Sequence, residues 1–409
     1  MKYIILLGDG MADYPIDSLG GMTPLEAART PYMDEIARKG TVGLIDTIPR
    51  GFPPGSDVAN LSVLGYNPGE YYTGRGPLEA ASMGVRLAPE DEAYRCNLVT
   101  LRMADHPVMD DYSAGHISTG EARAIVADLD RELGSGAFKF YSGVSYRHLL
   151  VWKRGAPSVK TVPPHDIVGE QIDRYLPSGN GAQEIKRLIN LAREILSVHP
   201  VNISRIGRGE KPANSIWPWG QGKAPRFTPL TVKYGLKGSI ISAVDLLNGI
   251  GIYAGLEVIR VRGATGYIDT DYAGKAQSAL ESLKDKDFVF VHVEAPDEMG
   301  HAGNIEGKIK AVEDFDSKVV GTVLRNVGGL GDYRLMVLSD HPTPISRRTH
   351  VPDPSPFAVL SSSREENLAV DAPFGEAAAK RTGLLISPGY RLMEHFLGDW
   401  RGFIAARCR

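Results

Sequence analysis

Cysteine is almost missing from this chain. Only Cys96 and Cys408 occur in 409 residues, so there is no disulfide framework and no thiolate metal site. An excess of charge of one sign is missing too. The 46 basic and 49 acidic residues are intermixed and leave a formal net charge of -3, which offers no cationic stripe to nucleic acid or to an anionic membrane. No apolar run is long enough to span a bilayer. The amino-terminal run holds one lysine and stops at Gly8-Asp9-Gly10, which fits a first strand rather than a secretory signal. The chain has neither a Gly-x-Ser-x-Gly elbow nor a glycine-rich phosphate loop ending in Lys-Ser/Thr, which argues against an ordinary α/β-hydrolase and weighs against an ATP-dependent enzyme. Internal repeats and low-complexity blocks are absent. These exclusions leave a cytoplasmic enzyme of small molecules, with no nucleic-acid or membrane partner. Oligomeric state has no signature in the sequence.

What is present is apolar material in short, abruptly ended runs. At 43% hydrophobic residues over 409 positions, the chain exceeds what one core usually supports, so two domains are expected. Three runs share one design: Tyr3 to Leu7 before Gly8-Asp9-Gly10, Phe288 to Val293 before Glu294-Ala295-Pro296-Asp297, and Arg334 to Leu338 before Ser339-Asp340-His341. Each reads as a buried parallel strand that delivers a polar side chain at its carboxyl end, the edge where open α/β sheets collect ligands. Helical signals alternate with the strands. Thr30-Pro31 opens a helix that Gly40 should close through a left-handed exit. Ile185, Leu188, Ile189, Ala192 and Leu196 recur at helical spacing, and so do Ile305, Ile309, Val312, Phe315 and Val319. The expected fold class is α/β, a doubly wound and mostly parallel sheet. Between Arg75 and the loose Pro177-Ser178-Gly179-Asn180-Gly181 segment lies a stretch without ligand candidates, including a helix over Glu121 to Leu133 and a strand over His148 to Trp152. This reads as a smaller inserted α+β domain over 75–181, dividing the main domain into 1–74 and 182–409.

Seven residues carry the chemistry: Asp9, Ser56, Asp297, His301, Asp340, His341 and His350. Carboxylates and neutral imidazoles without a thiolate suit manganese or zinc, with magnesium or cobalt as alternatives. Two such ions can clamp the attacking and departing oxygens of an in-line phosphoryl transfer. Asp297 and His301 are spaced to share one face of a helical turn, so they can bind one ion together. Taken singly, each residue has a plainer reading. Asp9 or Asp340 can cap a helix or form a turn, and His350 can be a surface loop histidine. Ser56, after the stiff Gly51-Phe52-Pro53-Pro54-Gly55, can be a nucleophile at a helix amino terminus or an ordinary N-cap. Convergence of several strand ends favours the site.

Leu6-Leu7-Gly8-Asp9-Gly10-Met11, Gly55 to Asn60, Ala295 to His301, Ser339 to Pro344, Thr349-His350, Thr73 to Glu79 and Lys233 to Gly238 together resemble the archaeal-type, cofactor-independent phosphoglycerate mutases of the alkaline phosphatase superfamily. The resemblance covers nearly the whole chain. It implies an alkaline-phosphatase-like main domain, an inserted substrate-binding domain, and interconversion of 3-phosphoglycerate and 2-phosphoglycerate in glycolysis and gluconeogenesis. In that scheme Ser56 is phosphorylated, with Asp9, Asp340 and His341 beside it around one metal, and Asp297, His301 and His350 hold a second. Arg147, His165 and Asp166 fall in family-like segments that grip the phosphorylated metabolite. The Asn214 to Gly222 segment resembles a branch proposed to act as a homoserine kinase. A kinase-like phosphotransferase and a metal-dependent phosphatase are therefore the alternatives.

Overall fold

The computed structural model describes residues 1–103, 105–155, 158–369 and 371–407, so Cys408 lies outside the described residues. The chain divides into two compact units, Met1–Tyr72 with Phe227–Arg409, and Thr73–Arg226.

The larger unit is built on an eight-stranded sheet. Its centre is the strand Lys2–Gly8, paired in parallel with Phe288–Val293 on one side and Tyr333–Leu338 on the other. Gly238–Ile241 and Glu257–Val258 extend one flank in parallel. On the other flank come Ser355–Ser361, Thr41–Ile45 and Leu385–Ile386, of which only Ser355–Ser361 runs against the rest. The apolar runs explain this arrangement. Ile4, Ile5, Leu6 and Leu7 all have zero exposure, and because successive strand residues point to opposite faces, both faces must be covered. Ile4 and Leu6 pack with Met33, Ile36, Ala276, Val312 and Phe315 from helices on one face. On the other, the helix Asp245–Tyr253 approaches so closely that a Cβ on Gly251 would lie 2.4 Å from Ile240 Cγ2. This is the doubly wound, mostly parallel architecture expected.

Register then aligns the polar ends. Leu7 lies opposite both His292 and Leu338, so the residues that follow, Asp9, Glu294 and Asp340, leave the same edge of the sheet at nearly one level.

Local details differ from expectation in three places. The helix Pro31–Lys39 begins at Thr30 as predicted, but the threonine makes no capping bond. The buried Asp316 carboxylate accepts the amides of Tyr32 and Met33 at 3.3 and 2.7 Å instead. Nor does Gly40 exit left-handed. Its φ is -109°, and glycine is needed there because a Cβ would sit 2.2 Å from the Val359 carbonyl oxygen. The helix from Ile305 becomes a π-helix over Phe315–Val320, and the widened turns contain Asp316.

The smaller unit is α+β. Its long strand Glu92–Arg102 pairs antiparallel with Val108–Asp111, Arg147–Trp152 and Ser215–Gly222. The helices Thr119–Leu133 and Ala182–Ser197 cover it. The second boundary is therefore at 226/227 and not at 181/182. Ile185, Leu188, Ile189, Ala192 and Leu196 pack with Tyr94, Cys96, Leu98, Ile125 and Leu129, so this helix completes the core of the insertion. The Pro177 to Gly181 segment is a turn within that unit, pinned by paired hydrogen bonds between Lys160 and Ser178. Trp217 and Trp219 are buried, and their indole N–H groups donate to Val162 O and Asn97 Oδ1 at 2.8 and 3.0 Å.

Buried charge ties down the loop after the first strand. Lys308, with zero exposure, donates to Asp13 Oδ2 at 2.7 Å, Thr343 O at 2.9 Å and Ala12 O at 3.2 Å. Next to it, Glu376 accepts from the Asp13 amide at 2.9 Å and the Thr23 hydroxyl at 2.8 Å. Burial pushes the Glu376 carboxyl up from 4.5 to about 7 even against these bonds, which favour the charged form. The native state thus holds a proton that the unfolded chain releases, and this group's contribution to stability falls as pH rises from about 4.5 through about 7. Glu376→Gln should remove that fall. Melting temperatures of the chelated protein across pH 4.5 to 8 check this; parallel profiles for the two proteins would contradict it.

Candidate active site

Each functional side chain is delivered by an element whose sequence explains its position. Asp9 and Asp340-His341 follow the parallel strands at their shared edge. Asp297 and His301 lie one turn apart on the helix Ala295–Ala302, and their side chains meet at 3.2 Å. Ser56 is the first residue of the helix Ser56–Val63, and the dipole of a helix favours an anion at its amino terminus. Its hydroxyl does not serve as the helix cap. It lies 3.2 Å from His341 Nε2 instead.

Six of the seven residues gather as two triads, and Ser56 stands beside the second through His341. Asp297, His301 and His350 present ligand atoms within 4.8 Å of one another, and so do Asp9, Asp340 and His341. In the first, His350 Nε2 is 3.4 Å from Asp297 Oδ1 and 2.9 Å from His301 Nε2. His301 Nδ1 donates to the Arg348 carbonyl at 3.0 Å, leaving Nε2 to face the triad. In the second, His341 Nε2 stands 3.4 Å from Asp9 Oδ1 and 3.6 Å from Asp340 Oδ2. Gly10 lies between the triads at φ +58°, where a Cβ would meet Asp297 Oδ1 at 2.4 Å. Only glycine meets both demands.

The electrostatics favour a cation at each. Burial, and then the Asp340, Asp297 and Glu294 carboxylates, raise the Asp9 carboxyl well above its usual range. Asp9 Oδ1 is buried with no hydrogen-bond donor among the described residues, an arrangement that costs on the order of 1–3 kcal/mol or more unless something positive faces it. Asp297 behaves oppositely. Burial opposes its ionisation, yet bonds from His301 and His350 hold its carboxyl well below the usual range. Oxygen and imidazole donors, two carboxylates and one ring in one triad and one carboxylate and two rings in the other, fit divalent cations of intermediate hardness.

The chain matches known proteins along nearly its whole length. A family profile described as 2,3-bisphosphoglycerate-independent phosphoglycerate mutase matches residues 37–202. A Geobacter sulfurreducens protein named probable 2,3-bisphosphoglycerate-independent phosphoglycerate mutase is 54% identical, covering 97% of this chain and 100% of the relative. A Methanosarcina mazei protein with that name, without the qualifier, is 56% identical over 93% of this chain and 95% of its own. The chain belongs to this family. Among solved structures, a Pyrococcus horikoshii protein superposes with a TM-score of 0.82 at 29% identity, covering 98% of this chain and 97% of that one. The cofactor-independent phosphoglycerate mutase of Thermoplasma acidophilum gives 0.64 at 26% identity, covering 97% and 99%.

Family segments in the inserted unit are placed as follows. Arg147 opens the strand Arg147–Trp152, with its guanidinium 5.6 Å from the centre of the Tyr146 ring. His165 and Asp166 occupy the short turn Pro164–Ile167, with the His165 ring edge-on to Trp219 at 5.3 Å. All three are exposed.

Three supporting residues escaped the sequence reading. Asn60 donates to the Ser56 carbonyl at 2.9 Å and to Asp340 Oδ2 at 2.8 Å; its position four residues after Ser56 on one helix face was the available signal. His292 bonds Asp9 Oδ2 at 2.7 Å. Burial, and then Lys275, hold its ring down to about 3, so the neutral imidazole donates Nε2–H and takes a bond at Nδ1 from the Ser242 hydroxyl at 3.1 Å. A histidine inside an apolar strand was the clue. Thr343 is the third.

Proposed function

We propose that this protein interconverts 3-phosphoglycerate and 2-phosphoglycerate through a phosphoserine at Ser56, without 2,3-bisphosphoglycerate and with two divalent ions, manganese first. The observation that carries the reading is the Ser56 hydroxyl beside the Asp9, Asp340 and His341 triad, at a helix amino terminus suited to a phosphoryl group. The names of the relatives favour a mutase over the homoserine kinase-like alternative. Among the described residues no helix is long and apolar enough to cross a membrane, which accords with cytoplasmic glycolysis and gluconeogenesis.

The ligand sets divide by triad. Asp9, Asp340, His341 and Ser56 would hold one ion, and Asp297, His301 and His350 the other. Cations held there neutralise phosphoryl oxygens and make the serine hydroxyl a better nucleophile. Ser56 Oγ forms a bond to phosphorus as the bond from phosphorus to one glycerate oxygen breaks, and that oxygen gains the proton that the serine loses. The glycerate turns, its other hydroxyl attacks the same phosphorus, and the Ser56 O–P bond breaks with the proton returned. Atoms balance with no external phosphate donor. Asn60 orients both participants, bonding the Ser56 backbone and the Asp340 carboxylate. In the inserted unit, Arg147 and His165 would recognise the anionic groups of the substrate and Asp166 would accept from a hydroxyl, and excluding water during the turn is what separates a mutase from a phosphatase.

Purified protein with Mn²⁺ should equilibrate 3-phosphoglycerate with 2-phosphoglycerate when no other phosphate compound is present. Free phosphate should accumulate far more slowly, and ATP with homoserine should give no phosphohomoserine. Unchanged 3-phosphoglycerate together with phosphohomoserine formation would overturn the substrate assignment.

A further inference from the structure

Thr343 stands between the triads. It has zero exposure, and its hydroxyl is 2.5 Å from Asp297 Oδ1 and 3.2 Å from His341 Nδ1. These are residues of different triads. We propose that this single hydroxyl couples the two ion sites, so that filling either one prepares the other; the inference rests on the two-ion reading above.

The polarity of the chain follows from the inventory of protons. A threonine hydroxyl has one proton, and an ionised carboxylate only accepts. Donation therefore runs from Thr343 to Asp297, at a distance in the charge-assisted range. The hydroxyl oxygen is then left to accept, and what it accepts is His341 Nδ1–H. That places the lone pair of the neutral ring on Nε2, the atom that faces Asp9, Asp340 and Ser56. A cation at the Asp9 triad needs this tautomer. The same tautomer holds the Thr343 proton toward Asp297, which fixes the carboxylate that His301 and His350 share. Ligand and orienting partner are thus arranged as in the outer shells of metal sites, except that one hydroxyl serves two of them.

The surroundings leave the hydroxyl little freedom. The Thr343 amide donates to Ala12 O at 3.2 Å, and its carbonyl receives the buried Lys308 ammonium at 2.9 Å. A Cβ on Gly300 would lie 2.8 Å from Thr343 Cγ2, so the helix bearing Asp297 and His301 packs directly on the methyl group. A Cβ on Gly10 would lie 2.6 Å from the hydroxyl. Backbone, methyl and hydroxyl each have one place to be.

Thr343→Val keeps the shape and deletes the hydroxyl; Thr343→Ser keeps the hydroxyl and deletes the methyl. The test strips the full chain of metal and titrates it with Mn²⁺ alone, reading bound ion by calorimetry and by the resonance of free Mn²⁺. The unmodified protein should take up two ions cooperatively. Thr343→Val should bind them independently, with the second about tenfold weaker, within the usual range of coupling between sites. Thr343→Ser should regain the cooperativity even where its packing is looser. Cooperative binding by Thr343→Val overturns the proposal, and so does loss of cooperativity in the folded Thr343→Ser protein. No substrate enters the measurement, so the two readings fail separately. Cooperative uptake of ions by a protein with no mutase activity leaves the coupling standing and removes the substrate assignment; a working mutase whose Thr343→Val form titrates like the parent does the reverse.

Discussion

Ser56→Ala should fold, keep at least one divalent ion and lose turnover by about three orders of magnitude or more. A capping serine would behave differently. Its loss would cost roughly 1 kcal/mol of stability and leave chemistry largely intact. The geometry separates these cases before any assay, because the hydroxyl meets His341 Nε2 and not an amide of its own helix. Asn60 supports the fold of this corner independently of the hydroxyl, since it binds the Ser56 carbonyl, which alanine retains. Paired measurements of melting temperature, bound Mn²⁺ and mutase rate would check the expectation. A Ser56→Ala enzyme that turns over at a near-parental rate would return the serine to a structural role.

The ends of strands were legible because burial and chemistry change within one or two residues there. Tyr3 to Leu7 and Arg334 to Leu338 could only be buried strands, and a carboxylate just past such a strand must leave at the sheet edge. Parallel pairing with Leu7 opposite both His292 and Leu338 did the rest, since it sets Asp9 and Asp340 side by side although 331 positions separate them. What escaped depends on approach between distant segments. Gly40 looks like a helix exit in sequence, and the Val359 carbonyl that dictates glycine there belongs to a strand some 320 positions away. The cap for Pro31–Lys39 comes from Asp316, which local pattern cannot connect to Tyr32 and Met33. The domain boundary after Gly181 failed for a related reason. The periodicity of Ile185 to Leu196 shows an apolar face but not which core receives it, and the smaller unit does. Thr343 gave no signal, because its meaning lies in a carboxylate 46 residues earlier.

Chelation should abolish activity, and among common divalent ions Mn²⁺ should restore it best. The cost of losing the ions can be traced to named groups. Without a cation, burial and then the neighbouring carboxylates keep the Asp9 carboxyl raised, and its buried Oδ1 has no hydrogen-bond donor among the described residues. Restoring the cation should raise the melting temperature as well as the rate, by an amount equivalent to about 2.7 kcal/mol at a free concentration one hundred times the dissociation constant. Asp340 tests the same triad by mutation. Its carboxylate receives the Gly10 amide at 3.1 Å, the His341 amide at 2.9 Å and the Asn60 side chain at 2.8 Å, so alanine there would strand three buried donors and confuse misfolding with lost chemistry. Asp340→Asn retains an acceptor oxygen while deleting the charge. It should stay folded, bind one ion fewer and lose activity by at least about a thousandfold. Asp297→Asn should do the same for the other triad. Full activity in metal-free protein, or in either asparagine variant, would remove the two-ion site from the mechanism, because no other cluster of buried carboxylates and imidazoles among the described residues is placed beside Ser56 to substitute for it.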